Sequence, residues 1–273
     1  MKILASLAVI CLVPATAVYC AAPEIKTFPA AGIQSLRVET GAGDILVEGA
    51  PGDIRVEVTG EEPGKCLLTM KAEAGIFLVR AEDDPAAATK RGFWRSLFGG
   101  FHGENGCQAG FKVSAPAALP LSAANGSGEI YISGRDGDVS AGNGSGHIKA
   151  EKITGNLDVK NGSGGLSGAG CPKSLRARTG SGGITFTGLC GPVNAAAGSG
   201  NIELKWTGVP PAGEVSARTG SGDITMVFPP SAAIAAKLDN GSGSIRNDFV
   251  NGGKFPVSAG AGSGNISLLK AVK

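Results

Sequence analysis

The chain has 273 residues, is 42% hydrophobic but only 5% aromatic, and carries 45 glycines with 25 basic against 23 acidic side chains. This composition argues against a conventional core of large aromatic side chains, and collagen is excluded because the glycines do not recur at every third position. A formal net charge of +2 gives no ground for a nucleic-acid partner or an acidic tail.

Met1-Lys2 makes a short basic start, Ile3 to Val13 is apolar, and Pro14 precedes the small residues Ala15-Thr16-Ala17. This pattern predicts a signal peptide over residues 1–22 and an exported protein, periplasmic or extracellular. Cleavage after Ala17 and cleavage after Ala22 both stand. Lipid anchoring at Cys20 is disfavoured by the bulky Tyr19 before it. No later stretch approaches the roughly twenty apolar residues of a membrane helix.

Residues 23–121 form a second region. Leu36-Arg37-Val38, Ile54 to Val58, Cys66 to Met70, Ile76 to Val79 and Phe111-Lys112-Val113 alternate or are apolar and predict strands. We expect them to cap the N-terminal edge of the domain formed by residues 122–273. An insertion at 85–107 concentrates the aromatic residues that the chain otherwise avoids: Phe93, Trp94, Leu97, Phe98 and Phe101, beside Lys90, Arg91 and Arg95. Two readings stand, a partner contact surface and a loop folded back over an apolar end of the domain.

From residue 122 to 273 one unit repeats. Gly-Ser-Gly begins at Gly126, Gly144, Gly162, Gly180, Gly198, Gly220, Gly241 and Gly262, with spacings of 18, 18, 18, 18, 22, 21 and 21 residues. A degenerate copy, Gly41-Ala42-Gly43-Asp44-Ile45, lies near the start. A fixed period of this length means that each unit buries its apolar face only by stacking on its neighbours. Within one unit Leu157 and Val159 alternate with Asp158 and Lys160, the corner Asn161-Gly162-Ser163-Gly164 comes next, and a second short strand surrounds Leu166. The fold class predicted is all-β: a parallel β-solenoid with flattened two-strand rungs, right-handed by the rule for parallel crossovers. The eight repeats would stack to a rod of roughly 38 Å.

With the leader removed, Cys66, Cys107, Cys171 and Cys190 remain, an even number with three possible connectivities. Cys171 lies nine residues after Gly162 and Cys190 ten after Gly180, so the two fall at nearly equivalent corners of consecutive rungs. Pairing them is geometrically feasible and leaves Cys66 with Cys107.

The exported leader, the β-rich opening with Gly41-Ala42-Gly43-Asp44-Ile45 and the run of Gly-Ser-Gly-[Asp/Asn/Glu]-Ile turns together resemble the bacterial putative-adhesin family with GSG-type β-strand repeats. The resemblance covers about Leu36 to Leu269. It implies a solenoid related to adhesin head domains in an envelope or surface setting, and it brings no catalytic residues. The insertion around Phe93 to Phe101 departs from it.

The chemistry-bearing residues predict no enzyme, cofactor or metal. The glycine that a dinucleotide fingerprint needs three residues after each Gly-Ser-Gly is missing at every copy, and there is no GxxxxGK[ST] loop. The corner serines lack GxSxG flanks, and only His102 and His147 exist to serve as a base. The outward column after the corner, from Glu129 and His147 to Asp223 and Asn265, holds no paired acids for glycoside hydrolysis. Asp136 and Asp138 read as turn residues, and Asn125, Asn143, Asn161 and Asn240 as corner residues that tolerate a left-handed backbone.

One surface feature stands out. Lys160 would stack over Arg178, with Arg176 beside it and Arg218 two rungs away. Pairing of Asp158 with Arg176 would relieve that repulsion; the alternative is an anion contact at Lys160, Arg176 and Arg178, such as a groove for an acidic glycan. The function expected is a non-enzymatic envelope or surface scaffold that binds an envelope protein or glycan. A polysaccharide-acting enzyme and a purely structural scaffold are the alternatives.

Overall fold

The computed structural model describes residues 25–60, 65–84, 107–210, 212–250 and 252–272, and all regular structure among them is β. Before the regular repeat come β1 (Ile25–Phe28), β2 (Ser35–Ala42), β3 (Ile45–Gly49), β4 (Ile54–Thr59), β5 (Cys66–Glu73), β6 (Ile76–Asp83) and β7 (Gly110–Ala115). The repeat then supplies strands in pairs: β8 (Leu121–Ser127) and β9 (Ile130–Arg135), β10 (Val139–Ser145) and β11 (Ile148–Ile153), β12 (Asn156–Ser163) and β13 (Leu166–Ala169), β14 (Ser174–Ser181) and β15 (Ile184–Leu189). It continues with β16 (Val193–Ser199) and β17 (Ile202–Trp206), β18 (Val215–Ser221) and β19 (Ile224–Phe228), β20 (Ile234–Ser242) and β21 (Ile245–Asn247), β22 (Phe255–Ser263) and β23 (Ile266–Lys270).

Each pair is one rung. Its first strand joins an eleven-stranded sheet and its second a twelve-stranded sheet, the chain turning between them at Gly-Ser-Gly. Along both sheets the rungs pair in parallel with equivalent residues in register, as in Val139↔Leu157 and Leu157↔Leu175. Because strand side chains alternate, a register fixed to the residue sends every second column inward. Val139, Leu157, Leu175, Val193 and Val215 from the first sheet meet Ile130, Ile148, Leu166, Ile184, Ile202 and Ile224 from the second, all buried. Each such side chain contributes about 1.5–3 kcal/mol on leaving water.

The corner glycines are dictated by stacking. A Cβ on Gly144 would lie 2.5 Å from the carbonyl oxygen of Gly126 in the preceding rung, and one on Gly146 would lie 2.1 Å from that of Gly128. Gly146 also sits at φ +108°, a conformation L side chains resist. Rung spacing and corner shape thus both demand glycine.

The stack departs from the simple reading in two ways. Ten rungs form among the described residues, not eight, because the degenerate copy makes a full rung of β2 and β3 and a further rung comes from β6 and β7. The order of rungs also differs from chain order at both ends: β2 and β3 lie between β6/β7 and β8/β9, and the C-terminal β22 and β23 lie between β18/β19 and β20/β21. Regions expected only to cap the solenoid therefore build part of it. At the N-terminal end β4 runs antiparallel on β7, β1 on β4 and β5 on β6.

The aromatic residues of the core are few. Phe186 occupies the space left by Gly168 in the adjacent rung, where a Cβ would come within 2.6 Å of its ring. Trp206 stacks on Phe228 with centroids 4.1 Å apart, Phe249 meets Phe228 edge-on at 6.4 Å, and the indole N–H of Trp206 donates to the carbonyl of Gly191 at 3.1 Å. The core is thus mainly aliphatic, with an aromatic cluster at the second corner and a Phe28–Phe77 pair, centroids 4.7 Å apart, at the N-terminal end.

Candidate functional site

The polar residues at the Gly-Ser-Gly corners are occupied in holding rungs together. The buried side-chain amides of Asn125, Asn143 and Asn161 donate to the carbonyls of Gly43, Gly128 and Gly146 in the preceding rung at 2.7, 2.8 and 2.6 Å. At the same register position the hydroxyls of Thr40, Thr179 and Thr219 donate to Ala109, Gly164 and Gly200 at 2.7, 3.1 and 3.0 Å. The asparagines therefore bond to backbone across rungs.

The acidic and amide residues after the corner do similar work outside. Asp44 accepts the backbone N–H of Glu129 at 2.8 Å, Asn201 that of Asp223 at 2.9 Å, Asp223 that of Asn265 at 2.7 Å and Asn265 that of Ser244 at 3.0 Å. Asp136 accepts from the Thr154 hydroxyl at 2.8 Å. Asp138 accepts from the backbone of Asn156 at 3.0 Å, and this bond holds its carboxyl below the ordinary value. Among the described residues no group of three His, Cys, Asp or Glu side chains is placed to hold a metal ion, and no helix is long and apolar enough to cross a membrane.

The broad outer face of the eleven-stranded sheet is different. Lys160 on β12 stands opposite Arg178 on β14, and Asp158 stands opposite Arg176. Arg178 is in register with Ala196 and Ala196 with Arg218, so Arg218 lies two rungs further along the same column. All four cations are exposed. Asp158 lies 3.8 Å from the Lys160 ammonium on its own strand and makes no ion pair with Arg176, which corrects the pairing expected from the sequence. The reason is geometric: residues two apart on one strand share a face, and the shorter side chain reaches along the strand.

Pairing along one strand recurs elsewhere on the sheets, although Arg80 also pairs across the ladder with Glu39. Arg37 with Glu39, Lys71 with Glu73, Arg80 with Glu82, Lys149 with Glu151, Lys205 with Glu203 and Arg246 with Asp248 are ion pairs two residues apart. Arg176, Arg178 and Arg218 have no carboxylate at that spacing, and none of the three forms an ion pair among the described residues. A groove of about 490 Å³ runs along the same face, lined by Ser122, Ser140, Asp158 and Arg176, with Arg37 and Ile76 at its N-terminal end. One carboxylate oxygen of Asp158 is enclosed there without a hydrogen-bond partner.

The cysteines join as Cys66–Cys107 and Cys171–Cys190, with Cα separations of 4.8 and 5.1 Å. The first bond sits where the insertion leaves the fold. Thr40 and Ile45 flank a corner, whereas their register partners Ala81 and Phe111 flank the whole insertion. The aromatic segment therefore replaces one Gly-Ser-Gly corner. Phe93, Trp94, Leu97, Phe98 and Phe101 lie outside the described residues.

Sequence reasoning missed Arg135. It is fully buried, donating to the carbonyls of Ala115 at 3.0 Å and Leu119 at 2.5 Å, and burial pushes its guanidinium below the ordinary value against the opposing influence of Asp136. The signal was its register: Arg135 occupies the inward position that Ile153 fills one rung later. It braces the 115–119 turn and does not reach the basic face.

Among curated proteins, none matches the chain. Its fold is similar to solved structures of a putative adhesin from Bacteroides fragilis NCTC 9343 (13% identity, 91% of this chain and 97% of that one, TM-score 0.48) and a putative lipid binding protein from Parabacteroides distasonis ATCC 8503 (14%, 93% and 98%, 0.45). A putative cell adhesion protein from Clostridium sporogenes ATCC 15579 also aligns (13%, 92% and 99%, 0.29). Residues 118–268, more than half of the chain and spanning the rungs from β8 to β23, match the model of one family. The chain belongs to the Toastrack DUF4097 family.

Proposed function

We propose that the protein is an exported, non-enzymatic binding scaffold of the cell envelope or surface, which holds its contact surface on a rigid stack of rungs. The observation that carries this reading is the division of labour among polar residues. The corner amides and hydroxyls hold neighbouring rungs, while the outer face of the eleven-stranded sheet keeps three guanidinium groups without carboxylate partners among the described residues. A face of this kind recognises ligands through fixed charges and presents no nucleophile aligned with a base. The insertion with Trp94 and Phe98 is a second contact in this reading, since it replaces a corner and is anchored by Cys66–Cys107.

The test is retention of the mature protein on envelope fractions and a glycan panel, with released products assayed in parallel. Retention without products supports the scaffold. Released oligosaccharides overturn it. Trp94→Ala with Phe98→Ala weakens retention in a folded protein if the insertion is a contact, and unfolds the protein if the insertion packs on the solenoid.

A further inference from the structure

We infer that the broad face of the eleven-stranded sheet binds a linear acidic polysaccharide through Lys160, Arg176, Arg178 and Arg218. The assignment rests on the scaffold reading and names its ligand class.

Charge comes first. Among the described residues, the four exposed cations share this face with Asp158, 3.8 Å from Lys160, while Asp138 and Glu214 line the grooves beside Arg176 and Asp239 lies two rungs beyond Arg218 in its column; none of these carboxylates forms an ion pair with the three arginines. Like charges set opposite each other across a ladder, as Lys160 and Arg178 are, are destabilising unless an anion lies between them. Elsewhere on the two sheets a cation is met by a carboxylate two residues along its strand or, at Arg80, also by Glu39 across the ladder, and this patch uses neither arrangement for its three arginines.

Shape comes second. Arg178 and Arg218 lie two rungs apart, about 9.6 Å, roughly the length of a disaccharide unit. Ala196 stands between them in the same column, so a chain lying along the stack meets cations at intervals over a low floor. Ser122 and Ser140 line the groove that leads into Arg176, and their hydroxyls suit sugar hydroxyls.

The same face disfavours other polyanions. The outward columns from β8 to β18 carry no aromatic side chain on which bases could stack and no large apolar side chain to enter a bilayer. Charge alone would attract nucleic acid and anionic lipid weakly; a polymer with acidic groups and hydroxyls on a flat ribbon uses everything the face offers.

The experiment measures affinity of the full mature chain for polygalacturonate and for heparin, with dextran, single-stranded DNA and phosphatidylglycerol vesicles as comparisons. Both acidic glycans should bind, dextran should not, and binding should fall as salt rises. Arg176→Gln, Arg178→Gln and Arg218→Gln combined should weaken glycan binding about tenfold, while Arg246→Gln leaves it unchanged. The corresponding triple lysine variant should keep most of the affinity, and the single variants Arg176→Gln, Arg178→Gln and Arg218→Gln, each expected to weaken binding, replace the triple glutamine variant if that one does not fold. Unchanged affinity without the charges, or equal binding of DNA or vesicles, overturns the assignment. If envelope retention survives in the glutamine variant, the scaffold reading stands and this ligand assignment alone fails.

Discussion

The buried side-chain amide of Asn143 donates to the carbonyl of Gly128 in the preceding rung at 2.8 Å, and the same bond recurs with Asn125 and Asn161 one rung away on either side. Asn143→Ala leaves that carbonyl enclosed and unpaired, at a cost of about 1–2 kcal/mol. The column lapses at Ala197, which is buried between Thr179 and Thr219. Ala197→Thr should restore the bond and raise stability by about 0.5–1 kcal/mol. Urea unfolding of the two variants, compared at constant slope, measures both effects.

Two neighbouring glycines should respond in opposite ways. Gly144→Ala places a methyl 2.5 Å from the Gly126 oxygen, so the corner must open and the unfolding temperature should fall by several degrees. Gly142→Ala, two residues earlier, meets nothing within 4 Å and sits outside the left-handed region, so it should be neutral or stabilising by about 0.4–1 kcal/mol. Thermal unfolding of both separates stacking contact from mere loss of chain freedom.

Lys152 adopts φ +53° at the second corner, where the rungs on either side place Gly134 at +63° and Gly170 at +153°. A left-handed backbone costs a residue with a Cβ about 1–2 kcal/mol. Lys152→Gly should recover up to about 1 kcal/mol, visible as a raised unfolding midpoint with glycan binding unaltered.

Much of this was legible in the sequence. The spacing of Gly-Ser-Gly and the alternation at Leu157 and Val159 identify rung, corner and core columns, because a two-residue side-chain period and a fixed register leave little freedom. The interleaving of rungs at both ends was not legible: β20 and β22 have equivalent patterns, and a local period does not say which of them stacks on β18. The pairing of Asp158 was misjudged because cross-strand and along-strand partners lie at similar distances, and side-chain length decides between them. Arg135 escaped because a basic residue reads as exposed until its register with Ile153 is noticed.

The disulfides should act locally. Replacing Cys66 and Cys107 by serine frees the start of β5 from the base of the insertion, and the loss should be about 2–4 kcal/mol. Hydrogen exchange should then quicken in β5 and β6 while β14 to β19 keep their protection. Uniform acceleration along the stack would mean that the ten rungs unfold as one unit.

The most direct measurement is of the arginine side chains themselves. In spectra that resolve the Nε–H groups, titration with polygalacturonate should shift the signals of Arg176, Arg178 and Arg218, while those of Arg80 and Arg246, whose Nε–H groups already donate to Glu39 and Asp248, stay in place. Shifts spread equally over paired and unpaired arginines, or absent from the three on the broad face, would contradict the account.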